Sequence, residues 1–154
     1  MSLNPDYFDM FKTLNAAGAK YLIVGAYAVG IHVEPRATKD LDIWVEPSSE
    51  NAQKVYNALT DFGAPLDELI ASDFCDMDVV YQIGVAPNRI DILTGVEGIS
   101  FEEGWQNRYE ASYGGEKVFV LGRDELIKAK RAAGRPQDLE DVKHLEASRK
   151  SAPN

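Results

Sequence analysis

Residues 36–45 read Arg36-Ala37-Thr38-Lys39-Asp40-Leu41-Asp42-Ile43-Trp44-Val45, and the second half of this stretch alternates as a β-strand does. Successive side chains of a strand point to opposite faces. We therefore expect Asp40 and Asp42 on one face, roughly 6–7 Å apart, while Leu41 and Ile43 enter the other layer. Two carboxylates on one face repel each other unless a cation lies between them. The alternative is that both aspartates form the solvent face of an amphipathic edge strand.

A third carboxylate would complete a metal site of this kind. Carboxylate oxygens suit Mg²⁺, with Mn²⁺ as the alternative ion, and two-metal phosphoryl or nucleotidyl transfer needs a further acidic ligand. Asp91 is the candidate because it lies in the middle of the strand-like run Arg89–Leu93 between apolar neighbours. Asp76 and Asp78 have the same spacing as the first pair. They follow an acidic loop without a glycine turn, so we expect no metal site there.

A glycine turn precedes the acidic strand. Tyr21–Val24 is an apolar strand that ends at Gly25, and Ala26–His32 has the pattern of a short helix. A strand, a glycine turn and a helix start can direct backbone N–H groups at a phosphate. Alone, Gly25 is more often a simple turn, but its combination with residues 36–42 favours a phosphate site.

The remaining patterns predict helices and strands around this unit. Helices are expected from Asn4-Pro5 to Gly18 and from residues 47–49 to Gly63. Further strand-like runs are Asp78–Val85, Arg89–Leu93 and Lys117–Leu121, and Gly134–Pro136 separates two C-terminal helices. The first two runs form a predicted hairpin. We expect an α/β (α+β) fold with a mixed sheet of about four to five strands flanked by helices.

We expect these elements to form a single domain. It would comprise residues 1–154, with a core at about 21–121 and a C-terminal helical segment at about 123–149.

Lys130 lies on the apolar face of the first C-terminal helix. At about 100° per residue its position falls within the inward arc. That arc consists of Leu126, Ile127, Ala129 and Ala133. A lysine on a buried face needs a carboxylate or a phosphate as partner. The alternative is a lysine that complements the C-terminal end of the helix dipole.

Asp138 lies on the apolar arc that Leu139, Val142 and Leu145 define in the last helix. A role in the site and a role as a first-turn acid favoured by the helix dipole explain it equally well. Asp141 lies at the edge of the same arc, so we expect it to be solvated.

The bulk composition restricts the classes of protein. The chain has 154 residues, an apolar fraction of 45%, a charged fraction of 27% and a net charge of −9, which argues against broad non-specific DNA binding. No apolar run reaches membrane-spanning length, and residues 1–6 do not resemble a signal peptide. A single cysteine, Cys75, excludes an internal disulfide. We therefore expect a cytoplasmic protein with no membrane partner.

Taken together, these motifs resemble the minimal nucleotidyltransferases of the DNA polymerase β superfamily, in the branch of AbiEii-like and related bacterial proteins. That branch has a hydrophobic strand, Gly-Gly-x-Ala, a short helix, Arg-x-Thr-x-Asp-x-Asp, an Arg-Ile-Asp strand, and a late Lys with Arg-Pro-x-Asp. The corresponding segments here are Gly25–Ala28, Arg36–Asp42, Arg89–Asp91, Lys130 and Arg135–Asp138. The likeness extends from about Tyr21 to Leu145, and Ala26 takes the place of the second glycine or serine of the turn.

The resemblance implies a nucleotidyltransferase fold and Mg²⁺-dependent transfer of a nucleoside monophosphate from an NTP to an acceptor hydroxyl. It implies that the catalytic residues and metal ligands are Asp40, Asp42 and Asp91. The nucleotide-binding residues that it implies are Gly25, Ala26, Arg36, Thr38, Lys130 and Asp138. Arg36 and Thr38 are equally well explained as structural contacts of their loop.

The acceptor and the partners are left open by the sequence. RNA (a tRNA end, for example), a protein or a small molecule would each fit as acceptor. Because the chain has little beyond the catalytic core, a partner protein or a second copy in a homodimer is expected to complete the site. Ala26 motivates an alternative function, a catalytically weak or inactive nucleotidyltransferase-fold module for binding or regulation, such as a toxin–antitoxin component.

Overall fold

The computed structural model describes residues 3–35, 40–85 and 87–151, with side chains described as far as residue 148. The α-helices are α1 (Pro5–Ala16), α2 (Gly25–His32), α3 (Ser49–Phe62), α4 (Phe101–Gln106), α5 (Arg123–Ala133) and α6 (Pro136–Ser151). The strands are β1 (Tyr21–Val24), β2 (Asp40–Val45), β3 (Val80–Ile83), β4 (Arg89–Leu93), β5 (Tyr109–Tyr113) and β6 (Glu116–Val120). A short 3₁₀ helix covers Ala71–Cys75.

Within the described residues these strands form one mixed six-stranded sheet in the order β3-β4-β2-β1-β6-β5. The central strand β1 is antiparallel to β2 and parallel to β6, and β2 is parallel to β4. The two outer pairs, β3 with β4 and β5 with β6, are antiparallel. The predicted mixed sheet flanked by helices and the β3–β4 hairpin are therefore confirmed.

The sheet is larger than the four to five strands expected. The extra strand is β5, whose residues are half-exposed or exposed, so it lacks the apolar alternation that identifies a buried strand. β3 is shorter than the predicted run Asp78–Val85. Asp78 has a left-handed φ of 64°, so the strand cannot include it and begins at Val80. β6 begins one residue earlier than the predicted Lys117.

Local sequence explains where the helices begin and end. The Asn4 side chain accepts hydrogen bonds from the backbone N–H groups of Asp6 and Tyr7, and Pro5 occupies the first helical position of α1. Ser48 caps α3 in the same way, and Gly63 ends it with a φ of 93°.

The core lies between the sheet and the helices packed on it. Leu41 and Ile43 of β2 and Ile90 and Ile92 of β4 are at most 1% exposed, so the intervening acidic residues of both strands lie on the other face. None of the described helices is both long and apolar enough to cross a membrane. The sheet thus fixes one acidic face at the centre of the fold.

Candidate active site

Three carboxylates meet where β2 and β4 pair. In the parallel register Asp42 lies opposite Asp91, and Asp40 lies opposite Arg89. Each aspartate offers one oxygen such that all three oxygens lie within 4.8 Å of one another. The structure therefore brings together the three acidic residues that the sequence singled out, from strands about 50 residues apart.

Arg89 neutralises part of this charge. Its Nη2 donates to Asp40 Oδ2 at 2.8 Å and to Asp91 Oδ2 at 3.2 Å, and its Nε lies 3.2 Å from Asp91 Oδ1. The charge of Asp91, above all, raises the pKa of Arg89 beyond its ordinary value. Arg89 belongs to the sequence motif but had no predicted role of its own, although its position two residues before Asp91 puts both side chains on one face.

Asp42 has a strongly raised pKa. Burial, followed by the negative charges of Asp40 and Asp91, raises the pKa of Asp42 from 3.8 to about 7. Near neutral pH this carboxyl is thus divided between its protonated and ionised forms. An added cation would favour the ionised form, because the charges that raise this pKa would then be compensated.

The chemistry of the cluster fits a divalent cation. Three carboxylates and one guanidinium leave a formal charge of −2, and all the candidate ligands are hard oxygens of the kind Mg²⁺ binds. Asp91 Oδ1 is buried and accepts no hydrogen bond from any described residue, since Arg89 Nε approaches it without hydrogen-bond geometry. Such an oxygen is available as a ligand.

The two aspartates at the other Asp-x-Asp sequence are arranged differently. Asp76 follows the 3₁₀ helix and Asp78 has a left-handed backbone, so both precede β3 rather than lying on it. Among the side chains that the structure describes, only Asp40, Asp42 and Asp91 form a group of three candidate ligands.

Gly25 packs directly against the acidic cluster. It has a φ of 71°, and a Cβ placed on it would lie 2.2 Å from Asp42 Oδ2. No L-residue side chain fits at that distance, so glycine is required by both the backbone angle and the space. The glycine turn recognised in the sequence therefore lets β1 and α2 approach the Asp42 carboxylate.

Substituting Gly25 by alanine is expected to destabilise the protein more than the same change at Gly18. Both glycines have a φ of 71°, but a Cβ at Gly18 would meet no atom within 4 Å. The strain of the left-handed backbone is therefore matched, and the difference reports the clash with Asp42, about 1–3 kcal/mol for overpacking of this kind. Urea unfolding of both variants without metal measures it. Equal losses of stability would show that the Asp42 side chain moves aside freely.

A cleft of about 340 Å³ extends from the acidic cluster to the C-terminal helices. Gly25 and Asp42 line it on the side of the sheet, and Lys130, Arg135 and Asp138 line it on the side of α5 and α6. The cleft thus brings Gly25 and Asp42 together with the C-terminal residues Lys130 and Asp138 of the predicted nucleotide site.

Lys130 points inward, as predicted, and has carboxylate partners. Its side chain is 13% exposed, and its Nζ lies 3.3 Å from Asp138 and 3.1 Å from Asp141. By contrast Lys128 and Arg131 on the same helix are more than half exposed. Asp138 also accepts from Arg135 Nε at 2.7 Å, and this bond, above all, holds the pKa of Asp138 below its ordinary value.

The expectation that Asp141 is solvated was wrong. Asp141 is 1% exposed, whereas Leu139, which we placed on the apolar arc, is 47% exposed. The buried face of α6 consists of Asp138, Asp141, Val142 and Leu145. That spacing is a regular helical stripe, and its two acids are buried because Lys130 faces them from α5.

Three other residues were predicted to bind nucleotide, namely Ala26, Arg36 and Thr38. Ala26 is half-exposed in the first turn of α2, next to Gly25, and is not among the described residues that line the cleft. Arg36 and Thr38 lie outside the described residues.

Solved structures of nucleotidyltransferases share this fold. LnuA, a lincosamide antibiotic adenylyltransferase solved with lincomycin bound, superimposes with a TM-score of 0.61 at 17% identity, covering 96% of this chain and 99% of LnuA. ANT(2'')-Ia in complex with adenylyl-2''-tobramycin gives a TM-score of 0.60 at 14% identity, covering 92% of this chain and 86% of that one. An antigenic nucleotidyltransferase-like protein from Paracoccidioides brasiliensis gives 0.57 at 14% identity, covering 99% and 80%.

Sequence comparison identifies the family. No curated protein sequence matches the chain. The family model described as "Nucleotidyltransferase of unknown function (DUF6036)" matches residues 7–150, which include every element of the acidic cluster and the cleft. With its sheet, its acidic cluster and this match, the chain belongs to that nucleotidyltransferase family.

Proposed function

We propose that this protein transfers a nucleoside monophosphate from an NTP to a hydroxyl group of an acceptor, with Mg²⁺ as cofactor and Mn²⁺ as the alternative ion. The observation that carries the proposal is the position of the acidic cluster. Three carboxylate oxygens lie within 4.8 Å of one another, and one of these aspartates, Asp42, lines a cleft that Lys130 also lines. This combination provides ligands for a metal and a place for a triphosphate.

Asp40, Asp42 and Asp91 would hold the metal. When bound, Mg²⁺ supplies Lewis-acid stabilisation of the charge on the phosphates. Arg89 compensates Asp40 and Asp91 and holds both carboxylates at the pairing of β2 with β4. The ligands are therefore positioned before the metal arrives.

The reaction itself needs a base and a site for the phosphates. The acceptor oxygen attacks the α-phosphorus, the bond to pyrophosphate breaks, and the acceptor proton passes to the Asp91 carboxylate. Because Gly25 has no side chain, the backbone of the turn lies close to Asp42 and would come close to the phosphates. Lys130 would contribute positive charge in the cleft, and Asp138 would orient Lys130.

The remaining predicted contacts belong to the same proposal. Ala26 would place the first turn of α2 against the phosphates, and Arg36 and Thr38 would reach the nucleotide from the segment before β2.

Calorimetry with each NTP and Mg²⁺ tests this function, and the chain offers a matched control. We expect the Asp40→Asn/Asp42→Asn double variant to bind at least about tenfold more weakly than wild type, which is about 1.4 kcal/mol. The Asp76→Asn/Asp78→Asn variant removes the same charges at the same spacing outside the cluster and should bind as wild type does. If no NTP binds, or if both variants bind as wild type does, the function is not nucleotidyl transfer at this site.

Ala26 keeps one alternative in view, a binding or regulatory module such as an AbiEii-like toxin–antitoxin component without turnover. The retention of three clustered carboxylates weighs against it, since mutual repulsion costs stability that an inactive protein has no need to bear. A tightly bound partner on purification, together with no nucleotidyl transfer to RNA, protein or small molecules, would favour this alternative.

A further inference from the structure

The structure contains a second cavity, of about 560 Å³. It is bounded by residues 3–5, Tyr7, Tyr27, residues 87–88 and residues 112–114, and we call it the tyrosine recess. None of the described residues that line it also lines the cleft that contains Lys130. Its volume is within the usual range for sites that bind small molecules.

Among the described residues, those that line the tyrosine recess are all uncharged. Three aromatic rings contribute to it: Tyr27 lies 6.2 Å from Tyr7 and 6.2 Å from Tyr113 between ring centroids. Hydrogen bonds join the surrounding segments, since Tyr7 Oη donates to the Pro87 carbonyl and the Asn4 side chain donates to Asn88. The walls are therefore fixed by specific contacts between segments distant in sequence.

Tyr27 provides a hydroxyl group that is available to a ligand. Its side chain is partly exposed, and among the described residues its hydroxyl forms no hydrogen bond. Burial and the neighbouring tyrosines raise the pKa of Tyr27 to about 12, so its phenol is a neutral hydrogen-bond donor at physiological pH.

Two residues that line the tyrosine recess are close in sequence to residues that contact the acidic cluster. Asn88 directly precedes Arg89, which binds Asp40 and Asp91, and Tyr27 follows two residues after Gly25, which touches Asp42. After burial, the charge of Asp40 is the next cause of the raised pKa of Tyr7, which places that phenol within electrostatic reach of the cluster. These links place the recess near the cluster.

We propose that the tyrosine recess binds the acceptor, and that this acceptor is a ring-bearing, hydroxylated small molecule without negative charge. The inference rests on the proposed function. Tyrosine faces pack against sugar and aryl rings, and their hydroxyl groups pair with ligand hydroxyls. An acceptor hydroxyl held there attacks the α-phosphorus of an NTP in the cleft, pyrophosphate leaves, and the proton passes to Asp91.

Charge argues against RNA as the acceptor. An RNA backbone would need basic contacts, but none of the described residues that line the recess is basic. The aspartates whose charge reaches Tyr7 would also repel phosphates. The protein also carries a net charge of −9.

Binding of a panel of 4-nitrophenyl glycosides, measured by ligand-detected NMR without NTP or metal, tests the proposal. The uncharged 4-nitrophenyl glucoside is expected to bind at least about tenfold more tightly than the anionic 4-nitrophenyl glucuronide, which differs in one carboxylate. Tyr27→Ala should weaken binding of the glucoside on the order of tenfold, as loss of an aromatic contact predicts. Tyr109→Ala, which removes an exposed tyrosine outside the recess, should leave it unchanged.

The outcomes separate this inference from the proposed function. Thermal unfolding first establishes that Tyr27→Ala is folded, and Tyr27→Phe provides a milder variant that retains the ring. If no uncharged glycoside binds, if the glucuronide binds equally well, if Tyr27→Ala has no effect, or if a short single-stranded RNA binds instead, the inference is wrong even where NTP binding stands. If a glycoside binds at Tyr27 but no NTP binds with Mg²⁺, the acceptor role and the proposed function fail together.

Discussion

Replacing Lys130 by methionine is expected to lower the free energy of unfolding by about 3 kcal/mol, at the lower end of the range for breaking a buried ion pair. The Lys130 ammonium lies 3.3 Å from Asp138 and 3.1 Å from Asp141, and both carboxylates are at most 3% exposed. Its loss leaves two nearby buried charges with less compensation. Asp138 keeps its bond to Arg135, which is why we expect the lower end of the range. Urea unfolding at pH 7 measures the change.

Lys128→Met is the matched control for this prediction. Lys128 lies on the same helix and pairs with Glu103, but both side chains are more than a third exposed, so we expect a change below about 1 kcal/mol. Adding Asp138→Asn and Asp141→Asn to Lys130→Met should restore part of the stability, because the two buried side chains then carry no charge that Lys130 would have to balance. Equal effects of the two methionine substitutions would contradict a buried ion pair. A weaker affinity for ATP and Mg²⁺ in Lys130→Met alone would support its proposed contact with the phosphates.

The metal-free protein is expected to lose stability as the pH rises from about 4 to above 7 because of Asp42. The pKa of Asp42 is about 7 in the folded protein, against 3.8 for an unperturbed aspartate, so folding favours the protonated carboxyl. The stabilisation is complete below pH 4 and is lost as the pH rises through 7. A change in pKa of this size corresponds to at most about 4 kcal/mol.

Urea unfolding in EDTA between pH 4 and pH 8, for wild type and Asp42→Asn, isolates this contribution. The difference is needed because burial lowers the pKa of His32, which changes stability in the opposite direction as the pH rises. Wild type should lose stability relative to Asp42→Asn across this interval, and Mg²⁺ at pH 8 should stabilise wild type more. A difference between the two proteins that does not vary with pH would show that Asp42 is not perturbed.

The central part of the site could be predicted because its signals are local. Asp40 and Asp42 share a face by the period of one strand, Gly25 ends the strand before them, and Lys130 falls on an apolar arc. Each inference needs only the neighbouring residues. Asp91 required a further step, the assumption that its strand lies close to β2, and the parallel register of β2 with β4 bears that out.

What the sequence could not reveal depends on contacts between distant segments. The pairing of Arg89 with Asp40 follows from the alignment of two strands, and the burial of Asp141 follows from a lysine on another helix. Leu139 was wrongly assigned to the buried face of α6 for the same reason, because the buried face of this helix contains Asp138 and Asp141. β5 is an exposed edge strand without apolar alternation, so periodicity misses it. The tyrosine recess is built from segments throughout the chain and has no local pattern.

The parallel alignment of β2 and β4 also affects how the chain reaches its fold. A shift of β4 by one residue would place Ile90 or Ile92 opposite Asp42 and would turn the charged residues of β4 into the apolar layer. The ion pair between Arg89 and Asp40 exists in the observed alignment and would be lost on a shift by one residue, so it stabilises the observed alignment relative to that shift. The charges of the site thereby disfavour a one-residue shift of β4, before any ligand is present.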